Sequence, residues 1–157
     1  MNPSPVSLQT CLENETGAMR EFLAVLQDEA RVLEEGAAEA ALTEITARKN
    51  QAADVLAQAA EERNSQLAAL EFGTDGPGLQ AAADEHPTLA QPRRQLLEVT
   101  EQARALNESN GQIIEVFLDH NERTLETLRR LTGVGDIYDA SGRKRSGNKG
   151  SGRNIKA

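Results

Sequence analysis

The sequence predicts an all-α protein, built as an elongated antiparallel helical hairpin or three-helix bundle with coiled-coil-like packing. Apolar residues recur at helical spacing over three long stretches of the 157-residue chain. Hydrophobic residues make up 38% of the chain and include many alanines and leucines, whereas aromatic residues make up 3%. Because helices packed by leucine and alanine need few aromatic side chains, this composition favours helices over a sheet.

The first helix is predicted from about residue 5 to residue 36. Ser4-Pro5 is typical of an N-cap followed by a proline in the first turn, where the missing N–H costs nothing. Gly36 predicts a C-cap or a tight reversal. Large apolar residues recur every seven positions and form a heptad seam with a companion position. These residues are Leu12, Met19, Leu26 and Leu33, with Leu8 and Phe22 at the companion position.

The second helix is predicted from about residue 39 to residue 72. Its apolar stripe includes two cations, Lys49 and Arg63. Either their methylene stems lie along the stripe with the charges in solvent and only partly paired, or both cations pair with acids of a neighbouring helix. We favour the first interpretation because isolated buried cations are costly. The apolar members of the stripe are Leu42, Ile45, Ala52, Leu56, Ala59, Leu67 and Leu70.

Residues 73–78 contain three glycines and a proline, and we predict a surface loop that is not helical. No lysine follows them and no apolar strand precedes them, so a phosphate-binding loop is not indicated. A helical turn is expected at residues 79–84. Pro87 and Pro92 place the start of the third long helix at about residue 88, because proline is tolerated in a first turn and not in an interior. Its end is predicted at about Thr132.

The third helix carries a wider apolar stripe than one partner helix needs. Its second flank predicts either two neighbours in a bundle, or one neighbour plus a surface kept for a helix from outside. The flank contains Ile114, Phe117, Leu118 and Leu125. Asn110 also lies on the stripe, with Gly111 beside it. Two interpretations of this pair stay open: it fixes helix register or permits close approach of helices, or it meets a helix from outside.

Charge divides the chain into a helical domain, residues 1–140, and a flexible basic tail, residues 141–157. The net charge of the whole chain is -8. Six of its 17 cations and none of its 25 acids lie in the tail, so residues 1–140 carry a charge of about -14. An acidic body repels phosphates, and we expect no nucleic-acid partner.

The candidate chemistry does not favour an enzyme. The only cysteine, Cys11, could act as a nucleophile only with His86 or His120 as its base, and the spacing of these residues in the sequence does not support such a pair. Two histidines and one cysteine in separate segments make no metal cluster, and we interpret the glutamates as solvated faces, so no metal or cofactor is expected. A single cysteine, no signal peptide and no long apolar run predict a cytoplasmic protein without membrane insertion.

Two motifs in residues 106–142 are similar to those of a known family. The first, residues 106–114, contains Asn107 and the Asn110-Gly111 pair, and the second, residues 137–142, begins with Ile137-Tyr138. Together with the basic tail they resemble the C-terminal half of the FlgN-type flagellar export chaperones. The pattern from Leu42 to Arg63 is similar to the second helix of that family.

This resemblance implies a chaperone for bacterial flagellum assembly. Such a chaperone binds the C-terminal helices of hook-associated proteins, which form the hook–filament junction, and prevents their premature assembly. It then delivers them to the type III secretion apparatus, at its export gate and ATPase complex, for protein export. Family members carry a tryptophan near the start of the third helix, where this chain has Arg93. If that tryptophan packs on the tyrosine to control docking, the control must differ here.

The resemblance and the apolar flank together define the candidate site. The cargo-binding residues are expected to be Asn107, Asn110, Gly111, Ile113, Ile114, Phe117, Leu118 and Leu125. Ile137 and Tyr138 are implied in docking at the export gate. A chaperone is expected to be a monomer or small homodimer in the bacterial cytoplasm. The alternative is a structural coiled-coil scaffold or adaptor that self-associates through the same flank.

Overall fold

The computed structural model describes residues 2–132, apart from the side chains of residues 121 and 132, and the backbone of residues 137–138 and 144–145. The predicted all-α class is confirmed. The elements are α1 (Pro5–Glu34), α2 (Glu39–Ala69), α3 (Gly76–Glu85), a 3-10 turn (Pro87–Leu89) and α4 (Ala90–Thr132), followed by two-residue strands β1 (Ile137–Tyr138) and β2 (Lys144–Arg145), which pair antiparallel. The chain divides into two compact units, Met1–Gly111 and Gln112–Ala157.

Helix α1 begins at the predicted N-cap, and the chain reverses direction at the predicted glycine after the helix ends. The backbone N–H of Ser7 donates to Ser4 Oγ at 3.0 Å, and Pro5 occupies the first turn. At the other end Gly36 has φ +99°, a left-handed conformation that costs glycine little. The backbone N–H of Ala37 donates to the carbonyl of Val32 at 2.9 Å and completes the C-terminal cap. The reversal expected at Gly36 therefore separates α1 from α2.

Three ion pairs connect α1 to α2, and in two of them the carboxylate is buried. Glu15 Oε2 lies 3.2 Å from Arg63 Nε, and Glu29 Oε1 lies 3.1 Å from Lys49 Nζ. The two glutamates are two heptads apart along α1, and their partners are two heptads apart along α2 in the opposite order. Both pairs therefore belong to a single antiparallel register.

Apolar layers alternate with these ionic layers. Leu8 and Leu70 lie in one hydrophobic cluster, and Phe22 and Leu56 lie in the next. Each of these pairs is one heptad away from an ion pair in the same register. A slip of one heptad would place the buried carboxylate of Glu15 opposite a leucine, where it has no counter-ion. The charged residues of the seam thus specify how the two helices pair.

Lys49 and Arg63 correct the interpretation that we favoured from the sequence. Their charged groups contact carboxylates of α1, although 23% and 20% of their side chains stay exposed. Glu15 and Glu29 are only 5% and 2% exposed. The expectation that the glutamates form solvated faces is therefore wrong for these two residues.

Residues 76–78 are helical, which corrects the predicted loop through Gly78. Asp75 Oδ1 accepts a hydrogen bond from the backbone N–H of Gly78 at 2.8 Å, and Pro77 lies in the first turn. This N-cap offsets the low helix propensity of the glycines and the proline. The resulting helix α3 buries Leu79 and two alanines in a cluster with residues of α1, α2 and α4. The cluster consists of Leu8, Leu12, Leu67, Leu79, Ala82, Ala83, Leu89 and Leu96.

The left-handed position that follows α2 is occupied by a glutamate and not by a glycine. Glu71 has φ +66°, in the left-handed region that L-residues adopt at a cost of about 1 kcal/mol. The backbone N–H of Phe72 donates to the carbonyl of Leu67 at 2.9 Å, and its ring packs against the cluster and edge-on to the ring of His86. The burial of Phe72 offsets the strain at Glu71, and α2 ends three residues before the predicted residue 72.

Gly78 lies so close to the backbone of Gly73 that no side chain fits. A Cβ at Gly78 would lie 1.9 Å from the carbonyl oxygen of Gly73. We expect Gly78→Ala to lower the free energy of unfolding by about 3 kcal/mol, because backbone atoms cannot rotate away from the new methyl group. Gly76→Ala is the matched control in the same helix, since a Cβ there meets no atom within 4 Å. Equal midpoints for the two variants in chemical denaturation would contradict this explanation.

The first part of α4 completes the first compact unit. Leu96 lies in the cluster that contains Leu8, whereas Ala103 lies in the cluster that contains Leu26. Residue numbers increase together along the two helices, so this part of α4 runs parallel to α1. Pro92 occupies the first turn of α4, as its position predicts.

Candidate functional site

Asn110 is buried where three helices of the first unit meet. It is 1% exposed, and its Nδ2 donates to the carbonyl of Leu26 at 2.9 Å and to Glu29 Oε1 at 3.0 Å. Glu29 Oε1 also accepts from Lys49 Nζ at 3.1 Å. One carboxylate oxygen of α1 therefore accepts hydrogen bonds from an amide of α4 and from an ammonium group of α2. These bonds fix the register of the three helices relative to one another.

This placement changes the role of Asn110. Its side chain faces α1 and is not presented to a partner from outside, so the register interpretation describes it better than a cargo contact does. A signal for its partner was present in the sequence, because Glu29 and Glu15 occupy the same heptad position as Leu8 and Phe22. An acid at an apolar seam position predicts a buried ion pair when the next helix carries cations at the matching spacing.

Asn107 and Gly111 are both exposed on α4 in the first unit. A Cβ at Gly111 would meet no atom within 4 Å, so close approach of a neighbouring helix does not explain this glycine. Glycine at an interior helix position costs about 1 kcal/mol relative to alanine. The binding role of Asn107 and Gly111 stays a prediction.

In the second unit, residues 112–132 of α4 display apolar side chains along one side. Ile113 is 43% exposed, Leu118 is 44% exposed, and Ile114, Phe117 and Leu125 are half-buried. Their spacings of three, four and seven residues place them on one side of the helix. We define the α4 face by five residues, Ile113, Ile114, Phe117, Leu118 and Leu125. Exposed apolar side chains contiguous on one helix are typical of a binding surface.

Ion pairs within the helix cover the side of α4 away from this face. Arg123 Nη2 lies 3.1 Å from Asp119 Oδ2, and Arg130 Nη2 lies 2.8 Å from Glu126 Oε1. Both pairs have i,i+4 spacing and belong to exposed side chains. This side of the helix therefore carries the paired charges, together with Val116, which is 71% exposed.

The described part of the chain contains neither a candidate metal centre nor a candidate membrane span. No cluster of three or more His, Cys, Asp and Glu residues that could hold a metal ion occurs there. No helix there has the length and apolarity that a membrane span needs. Cys11 is buried, and its burial is the main reason why the pKa of its thiol is raised. The negative charges of Glu62 and Glu15 raise this pKa further, so the reactive thiolate is disfavoured.

The two predicted gate-docking residues form strand β1. In backbone register Ile137 lies opposite Arg145 and Tyr138 lies opposite Lys144. The part of the chain that the structure describes does not include their side chains, the side chains of residues 121 and 132, or residues 133–136, 139–143 and 146–157. The docking role of Ile137 and Tyr138 and the flexibility of the tail therefore stay predictions.

Comparison with known proteins places the chain in a class. A family model described as FlgN protein matches residues 1–146, which include all four helices and both motifs noted in the sequence. Neither a curated protein nor a solved structure gave a significant match. The match places the chain among the flagellar export chaperones. The chain belongs to the FlgN family.

Proposed function

We propose that this chain is a chaperone of the bacterial cytoplasm that binds the C-terminal helices of flagellar hook-associated proteins through the α4 face. It prevents their premature assembly and delivers them to the type III export apparatus. The observation that supports this proposal is the exposure of Ile113 and Leu118, with Ile114, Phe117 and Leu125 beside them, on one side of a single helix. Family membership indicates the class of cargo.

An amphipathic cargo helix is the occupant that fits this face best. Helix recognition uses anchors at spacings of three and four residues, which Ile114, Phe117 and Leu118 supply. Each square ångström of apolar surface removed from water contributes about 25 cal/mol. A cargo helix held in this way cannot pair with other copies of the cargo, which is how the chaperone delays assembly.

Titration of the full chain with peptides from the C-terminal helices of hook-associated proteins tests this proposal. We expect saturable binding of one peptide per chain in isothermal titration calorimetry, with the negative heat-capacity change of apolar burial. Light scattering should show a monomer or small homodimer that takes up one peptide per chain. Absence of binding up to a peptide concentration of about 1 mM would overturn the proposal. Growth into large oligomers without peptide uptake would instead favour the self-associating scaffold.

We assign delivery to a different segment, Ile137-Tyr138. Tyr138→Ala is expected to weaken binding to a purified cytoplasmic domain of the export gate by about tenfold or more, because tyrosine is a frequent interface anchor. The affinity for the cargo peptide should not change, since Tyr138 lies outside the α4 face. The two affinities are measured on the same preparation, which serves as the control for folding. Wild-type affinity for the gate in the Tyr138→Ala variant would refute this assignment.

A further inference from the structure

The charges that border the α4 face differ between its two sides. On one side Glu115, Glu122 and Arg129 follow one another at seven-residue intervals and therefore form one line along the helix. Glu122 comes four residues after Leu118 and three before Leu125, so this line is adjacent to the α4 face. All three charged residues are exposed.

The other border of the face contains no carboxylate, lysine or arginine. It consists of His120 and Thr127, which follow Ile113 of the face at seven-residue intervals. Within the described part of the chain, neither Glu115 nor Glu122 forms an ion pair, whereas Asp119 and Glu126 on the far side are paired with arginines. The charges of Glu115 and Glu122 are therefore available to a bound partner.

We infer that the α4 face selects an amphipathic cargo helix that carries lysine or arginine residues along one flank, opposite Glu115 and Glu122. This inference rests on the proposed function and deepens it. The line of Glu115, Glu122 and Arg129 has a net negative charge, because it contains two carboxylates and one guanidinium. Opposite charges on two helices beside an apolar seam determine which partner binds and in which orientation. Because the other border is uncharged, the basic flank of the cargo also determines which way the cargo helix is rotated.

A second copy of this chain fits the same border poorly. Residues 1–140 carry a charge of about -14, so two copies repel one another. In a symmetric antiparallel pair that places Glu115 opposite Arg129 of the other copy, the two Glu122 side chains face each other. In a parallel pair this line faces the uncharged border. Neither arrangement gives both glutamates a counter-ion.

Two versions of the hook-associated peptide that binds in the titration above test this inference. They differ only at three flank positions spaced seven residues apart, which are all lysine in one version and all glutamate in the other. At a salt concentration of about 50 mM we expect the full chain to bind the lysine version about fivefold more tightly, and the preference should fall towards one at about 0.5 M, because salt screens exposed charge pairs. Equal affinities at low salt would overturn the inference and leave the proposed function standing. Failure of the unmodified peptide to bind would overturn the proposed function itself.

Substitutions on the chaperone complete the test. Glu115→Gln combined with Glu122→Gln should remove the preference for the lysine version. Arg129→Gln, the matched control on the same line, should increase that preference, because it removes the one cation. Neither change alters the α4 face, and circular dichroism verifies that the helices persist. If the variant without both glutamates still preferred the lysine version of the peptide, the inference that Glu115 and Glu122 select the basic flank would be overturned.

Discussion

Replacement of both Ile114 and Leu118 by aspartate is expected to weaken cargo binding by at least about 100-fold, while the protein stays helical. Apolar anchors at the centre of an interface typically contribute about 2 kcal/mol or more each, and an aspartate in their place must lose its hydration when the cargo helix covers it. Leu118 is 44% exposed and Ile114 is half-buried in the free protein, and neither side chain belongs to the buried core. Calorimetric titration with the cargo peptide measures the loss.

Val55→Asp is the matched control for this pair. Val55 is an apolar helical residue that is 55% exposed, and it lies on α2 in the other compact unit. The control should bind the peptide with wild-type affinity and give the same far-ultraviolet circular dichroism. If the double variant bound like the wild type, the location of the site on α4 would be wrong. Equal loss in the control would show that added charge, and not the face, causes the effect.

Arg63→Met is expected to lower the free energy of unfolding by about 3 kcal/mol at neutral pH. Methionine retains much of the apolar stem and removes the guanidinium that lies 3.2 Å from the buried carboxylate of Glu15. Removal of one partner from a buried pair typically costs about 3–5 kcal/mol, because the other charge stays buried without compensation. About a fifth of the Arg63 side chain is exposed, which places the expected loss at the lower end of this range.

The pKa of Glu15 determines how this loss depends on pH. Burial raises this pKa above its ordinary value of 4.5, and the positive charge of Arg63 opposes the increase. Without Arg63 the pKa rises further, so the folded variant binds the proton more tightly than its unfolded chain does. The stability contributed by this proton is fully present below the ordinary pKa and is lost as the pH rises through the folded pKa. The difference between wild type and variant should therefore shrink as the pH falls from neutral towards 4.5.

Arg104→Met is the control for the loss of an arginine ion pair. Arg104 pairs with Glu101 and Glu108 on the surface of α4, where all three side chains are largely exposed. Its loss should change stability little at either pH, because water and salt screen exposed pairs. Urea denaturation at neutral and mildly acidic pH measures both variants. A loss for Arg63→Met that is no larger than that of the control, or that does not vary with pH, would contradict the role of the buried pair.

Several parts of the fold could be predicted because they depend on residues close together in the sequence. Heptad spacing along Leu12, Met19 and Leu26 predicts α1, and Ser4-Pro5 and Gly36 predict its ends. Three of the four α-helices follow from such local patterns. For α3 only a helical turn at residues 79–84 was predicted. Its first turn was placed in a loop because its glycines and proline oppose helix formation in isolation, and the Asp75 cap and the burial of Leu79 offset them.

The candidate site was predicted less evenly. Periodicity correctly placed Ile114, Phe117 and Leu118 on one side of a helix, because that property depends only on spacing. It could not show whether Asn110, on the same stripe, faces a partner or another helix of the same chain. The hydrogen bonds of Asn110 to residues of α1 that lie 81 and 84 positions away decided this question.

By itself, the sequence determined the helical class, the family and the apolar side of each long helix, because these follow from composition, motifs and spacing within single segments. Only the tertiary structure decided which polar groups are buried and which apolar side chains remain exposed. Glu29 and Leu118 show the physical reason. A carboxylate is stable in a core when distant parts of the chain bring it a cation and an amide, and a leucine stays exposed when nothing in the described part of the chain covers it.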